Sequence, residues 1–180
     1  MNKEKVIIAS KTLKQLENKS WSKILLSEIV DSKKNINFKN KNELLININK
    51  YIDFTLKKNL INLEVSSSKD MLFEVLMARL DILNSHRKSI KNLVKYFKTH
   101  PHHFIKLIPS FGESTILMAT LSNININGVT GIAKIKVIFI LYILTINTWT
   151  KDETKSLEKT MTTLDNYLNN LEKLIRFFND

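Results

Sequence analysis

Between residues 132 and 149 the sequence reads IAKIKVIFILYILTINTW, and from Val137 to Leu144 apolar side chains fall on every side of a helix. A helix with no polar face is either covered all round by neighbours or spans a membrane. Spanning takes about 20 apolar residues, and Lys134 and Lys136 cut the run short of that. Val, Ile, Phe and Tyr also favour strands. The segment, however, is too long for one strand, holds no turn residue and lies among helix-patterned neighbours. The expectation is a central helix of an all-α domain. The last helix would pack on one side of it, and earlier helices or a second subunit on the other.

Apolar positions elsewhere recur at i, i+3, i+4. Residues 5–17 form a one-sided helix on Val6, Ile7, Ala9, Leu13 and Leu16, and Trp21 packs at the following corner. A short helix at 24–30 buries Ile24, Leu25 and Ile29. Asn40 and Glu43 then have the spacing of a capping box, Asn40 taking the Glu43 N–H and Glu43 reaching back to Asn40. The helix they open runs to about Leu60 and buries Leu44, Leu45, Ile48, Tyr51, Ile52 and Leu56. Ser67 and Asp70 cap the next helix, whose stripe is Leu72, Phe73, Leu76, Met77, Leu80 and Leu83. Another helix, at 87–99, turns Ile90, Leu93, Val94 and Phe97 inward and stops before Pro101. Pro109 must start or kink the helix at 104–121. The last helix repeats apolar residues from Leu157 to Phe178 and, with 132–149, offers a two-helix face for a homodimer.

Composition supports the all-α reading, since 3 Gly and 2 Pro in 180 residues leave little punctuation for sheets. Without cysteine there is no disulfide, thiolate nucleophile or Cys-based zinc site, which fits a reducing, cytoplasmic setting. The N-terminus shows no signal-peptide h-region. The net charge is +11, of which residues 1–60 carry +7. Such an excess suits DNA or an anionic membrane, and equally a plain compositional bias toward Lys, Asn and Ile.

Three short N-terminal helices, a basic linker and a larger helical body resemble the layout of TetR-type transcriptional regulators. Leu26-Ser27-Glu28-Ile29-Val30 is similar to that family's second helix, and Phe38-Lys39-Asn40-Lys41-Asn42-Glu43-Leu44-Leu45 to the start of its fourth. The stretches LFEVLMARLDILNSHR (72–87), Leu107-Ile108-Pro109 and WTKDETKSLEKTMTTLDNYL (149–168) resemble an alphaproteobacterial branch of those regulators. That branch in turn resembles the TetR-fold lipid-binding accessory proteins of ubiquinone biosynthesis. The resemblance implies a TetR-like fold, with a helix-turn-helix-like DNA-binding domain at 1–48 and a helical ligand-binding and dimerisation domain at 49–180. One departure stands out. Residues 31–37 (DSKKNIN) are about half the length that the family gives its turn and recognition helix. One turn of helix presents one or two side chains to base edges, fewer than specific readout uses.

Lys33, Lys34, Asn35, Asn37, Lys39 and Lys41 are the DNA-binding candidates. The resemblance gives Lys41 a phosphate contact at a helix start; a solvated basic loop is the alternative. Phe73, Met77, Phe97, Phe104, Phe111, Met118, Phe139 and Tyr142 are the candidate lining of a pocket for a small apolar or lipid ligand, and side chains at such spacing equally make a plain core. His100, His102 and His103 fall at a helix break without a nearby carboxylate, so no metal site is assigned. No phosphate loop or catalytic pair is evident, and Glu113 with Ser114 does not make one. The expectation is therefore a non-enzyme with no cofactor: a regulator, or a lipid-binding accessory protein that has lost DNA recognition and touches an anionic membrane.

Overall fold

The computed structural model describes residues 1–30, 38–61 and 66–179, with backbone alone from 173 onward. Among these residues every regular element is helical and there is no strand, so the protein is all-α. The chain divides into two compact units, each assembled from separate stretches of sequence. The first is Met1–Asn59 with Asp81–Ser114, the second Leu60–Leu80 with Thr115–Asp180.

In the first unit, α1 (Lys3–Leu16) starts where the Asn2 side chain accepts the Lys5 N–H at 2.9 Å. Its buried side chains, Ile8, Ala9, Thr12, Leu13 and Leu16, lie on one face. A 3-10 turn at Trp21–Lys23 buries Trp21 and leads to the single-turn α2 (Leu26–Ile29). Ile24 and Ile29 are buried as expected, but Leu25 is exposed. Leu25 is the extended residue before the helix, so it points away from the face that Ile29 buries.

At α3 (Asn42–Asn59) the Asn40 side chain accepts the N–H groups of Asn42 and Glu43, at 3.0 and 3.3 Å. The Glu43 carboxylate reaches back to the N–H of Lys39 at 2.9 Å, one residue earlier than a standard capping box. Leu44, Leu45, Ile48, Ile52 and Leu56 are buried, while Tyr51 is half-buried with its ring edge-on to His86 at 5.9 Å. The helix α4 (Ser68–Ser85) is capped through Ser67 and Asp70, and after it comes α5 (Arg87–Thr99). Both α3 and α5 pack against α1. Pro101 opens α6 (Pro101–Ile105), and Pro109 lies in the first turn of α7 (Ile108–Leu121), so both prolines start helices.

In the second unit, α8 (Gly128–Lys151) packs against α9 (Glu158–Asn179). Gly128 has φ +68°, and a Cβ on Gly131 would lie 1.9 Å from the Ile126 carbonyl oxygen. Only glycine lets the preceding link approach the helix this closely. Ile138, Leu141, Tyr142, Thr145 and Trp149 form the buried face of α8. On the opposite face Ile140 is 55% and Leu144 42% exposed. Among the described residues the central helix is therefore covered on one side, and the covering of its other side by earlier helices is not seen.

Candidate functional site

Of the DNA-binding candidates, Lys33, Lys34, Asn35 and Asn37 lie outside the described residues. Lys39 is exposed. Lys41 is turned inward, its ammonium donating to the carbonyl oxygens of Trp21 and, at 3.3 Å, Ser22, while sitting 4.6 Å from the centre of the Trp21 ring. Burial lowers the pKa of this ammonium below the ordinary lysine value. These contacts tie the 3-10 turn to the start of α3.

The eight candidate pocket residues fall into two sets. Phe97, Phe104 and Phe111 belong to the first unit and form a chain of rings, with centroids 5.9 and 5.5 Å apart. Phe73, Met77, Met118, Phe139 and Tyr142 belong to the second unit, where Met77, Met118 and Tyr142 are buried and Phe73 and Phe139 half-buried. Tyr142 is held by the fully buried Arg79, whose Nε donates to its hydroxyl oxygen at 2.9 Å and whose guanidinium lies 5.2 Å from the ring centre.

Within the C-terminal motif of the family resemblance, 149–168, Trp149, Asp152, Leu157, Thr160, Leu164 and Leu168 are buried and most of the other residues are exposed. Asp152 sits in the link from α8 to α9, with one carboxylate oxygen accepting the N–H and hydroxyl of Thr154 at 3.0 and 2.5 Å. The other accepts the N–H and hydroxyl of Thr160 at 2.8 and 2.7 Å. Burial pushes this carboxyl up, but the four hydrogen bonds outweigh it and hold the group far below the usual carboxylate range. Trp149, Leu157 and Leu164, on the helices that this link joins or beside it, are also buried. In this chain the motif is a device that closes one helix onto the next.

In the first unit Asn49 donates to the Ser110 carbonyl and to the hydroxyls of Ser110 and Ser114, at 3.1, 3.0 and 2.8 Å. Ser114 donates to the Asp53 carboxylate at 2.7 Å. The cluster joins α3 to α7. Sequence patterning missed Asn49, because a polar residue between apolar ones reads as surface.

His100, His102 and His103 gather beside Tyr96, which stacks on His100 with ring centroids 4.3 Å apart. Among the described residues no group of three His, Cys, Asp or Glu side chains could hold a metal ion. The pKa of His103 is lowered by burial and then by the positive charges of His102, Lys106, His100 and Lys41. Burial also lowers that of His86, with Glu17 partly opposing. Both folded-state values lie below the unfolded one, so the stability tied to neutral imidazoles is present above about pH 6.5 and lost as the pH falls. Urea midpoints are expected to drop on acidification through that value, and the double substitution of His86 and His103 by glutamine to flatten the drop.

The distribution of charge is the strongest electrostatic feature. The first unit's sequence carries 19 Lys or Arg against 8 Asp or Glu, the whole +11 of the chain, and the second balances at 9 against 9. Counting along the sequence conceals this, because residues 81–114 return to the N-terminal unit. Their contribution centres on α5, whose Lys88, Lys91, Lys95 and Lys98 were not among the expected site residues. Their 3-4-3 spacing was readable as one helix face.

Compared with models of known protein families and with curated proteins, the chain has no match.

Proposed function

We propose that the chain is a TetR-like, non-enzymatic accessory protein of the ubiquinone-biosynthesis type. It carries a lipid-like apolar ligand in its helical body, acts in the cytoplasm as a homodimer, and touches an anionic membrane. The observation that favours this over DNA recognition is the engagement of Lys41. The ammonium that the family resemblance would put on a phosphate is spent on the carbonyls of Trp21 and Ser22. Freeing it for DNA would undo the contact between the turn and α3. The remaining exposed apolar surface fits the same reading. By length and composition α8 could cross a membrane, contrary to the expectation that Lys134 and Lys136 cut the run too short, and only 28% of its most apolar 18-residue window is buried. Its inner face packs within the unit through Tyr142 and Trp149. That describes a helix with one face left for a second copy, and the buried Met and aromatic side chains of the body would enclose the ligand.

A second reading, a TetR-like regulator, is favoured by the +11 gathered in the first unit. A ligand in the body would then shift the separation of two DNA-binding domains through its different affinity for the two arrangements. Two measurements separate the readings. Solvent extraction of the purified protein followed by mass spectrometry is expected to release an isoprenoid or acyl lipid. Titration with duplex DNA from the region upstream of the gene is expected to match that of a scrambled duplex, both signals falling steeply with salt. A lipid-free protein that prefers its own upstream duplex would overturn the accessory role and establish the regulator.

A further inference from the structure

The geometry points to the lysine face of α5 as an electrostatic docking surface for an anionic lipid bilayer. This deepens the proposed function by naming where the protein meets the membrane, and it rests on that reading for the purpose of the contact.

The helix α5 has two faces with separate duties. Ser89, Ile90 and Leu93 are buried. The Ser89 hydroxyl donates to the Leu13 carbonyl at 2.6 Å and the Asn92 amide to that of Leu16 at 2.7 Å, so α5 is fastened to the end of α1. The other face carries Lys88, Lys91, Lys95 and Lys98, which line up over about 15 Å of helix. No Asp or Glu occurs between Asp81 and Glu113. Three lysines elsewhere have carboxylates close by: Lys19 pairs with Glu28, Lys50 with Glu113 and Lys69 with Glu172. Lys88, Lys95, Lys98 and the nearby Lys106 are exposed, with no carboxylate partner among the described residues. Like charges at this spacing oppose the helix that carries them. An array of phosphates relieves that repulsion.

Nucleic acid and membrane both present phosphates, and the residues after α5 favour the membrane. Ile105 is 60% and Ile108 44% exposed, on either side of the buried Leu107 and next to Lys106. Exposed isoleucines gain nothing from a phosphodiester backbone, whereas the headgroup boundary of a bilayer takes up apolar side chains beside basic ones. Lysine stems also lie along such a boundary with their ammonium groups in water. The apolar face of α5 is already buried in its own unit, so the helix would lie on the bilayer without sinking into it.

The test is co-sedimentation of the full chain with vesicles of phosphatidylcholine alone or with about one third phosphatidylglycerol. Each lysine near such a surface contributes about fivefold in partitioning. K88Q/K91Q/K95Q/K98Q is therefore expected to weaken binding to the anionic vesicles by about 100-fold or more at low salt. K3Q/K5Q/K14Q/K57Q, which removes the same charge from other exposed positions of the unit, is expected to weaken it at least tenfold less. I105N/I108N is expected to weaken vesicle binding severalfold and leave any binding of duplex DNA unchanged. Melting curves check that each variant folds. Equal losses in the two quadruple variants would reduce the effect to net charge and overturn the proposal. Binding of duplex DNA through the same lysines without vesicle binding would overturn it in favour of nucleic acid. Lipid extraction keeps the two readings apart. Vesicle docking by a protein that holds no extractable lipid would retain the docking face and remove the carrier, and the reverse would remove the docking face alone.

Discussion

Replacing Asp152 by alanine is expected to lower the stability of the chain by about 3–5 kcal/mol, among the largest losses available to a single side chain here. The carboxylate is almost wholly buried and accepts four hydrogen bonds, two from Thr154 and two from Thr160. Truncation leaves the N–H of Thr160, at the start of α9, without its acceptor in a buried place. Asparagine keeps the volume but turns an NH2 toward one pair of donors, so D152N is expected to lose most of the same energy. Urea unfolding followed by circular dichroism measures this as a lower midpoint with unchanged slope. The pH dependence carries a matching sign. The folded-state pKa lies below the unfolded one, so the contribution is fully present above about pH 4 and disappears as acid protonates the carboxylate. In D152N the acid limb of the stability curve should be correspondingly shallower.

Arg79 gives the second large effect. Its side chain has no exposure, and its guanidinium lies against the ring and hydroxyl of Tyr142. R79A is expected to cost about 3–5 kcal/mol, from a cavity on α4 and a buried hydroxyl deprived of its donor. R79M fills the space without bringing a charge out of water and should cost less. Y142F alone removes one acceptor from the guanidinium and is expected to cost about 1–3 kcal/mol. In the double variant R79M/Y142F the loss should be smaller than the sum of the single losses. That difference, from a double-mutant cycle, is the coupling between the two side chains.

Much of the helical architecture could be read from periodicity. Pro101 and Pro109 open helices, Ser67 and Asp70 cap α4, and the apolar positions of α3 face inward. What remained hidden was polar and long-range. Ser89 and Asn92 read as ordinary helix residues, yet their bonds to the end of α1 tie 81–114 to the N-terminal stretch. Lys41 read as a phosphate ligand, because sequence does not reveal that Trp21 offers a carbonyl and a ring within its reach. Arg79, sitting in an apolar stripe, shows nothing of Tyr142 more than 60 residues away. The all-round apolar run of α8 was correctly seen as a helix, but it left open whether earlier helices or a second subunit cover its other side, where Ile140 and Leu144 are exposed among the described residues.

The interleaving of the two units also governs how the protein can be made. The first unit joins residues before 60 to residues after 80, so α1 lacks its partner α5 until about residue 99 has left the ribosome. Through that interval Leu13 and Leu16 have only part of their final covering, a state in which a nascent chain is open to chaperones and to aggregation. The excess of positive charge on the same stretch would then keep unfinished chains apart by mutual repulsion.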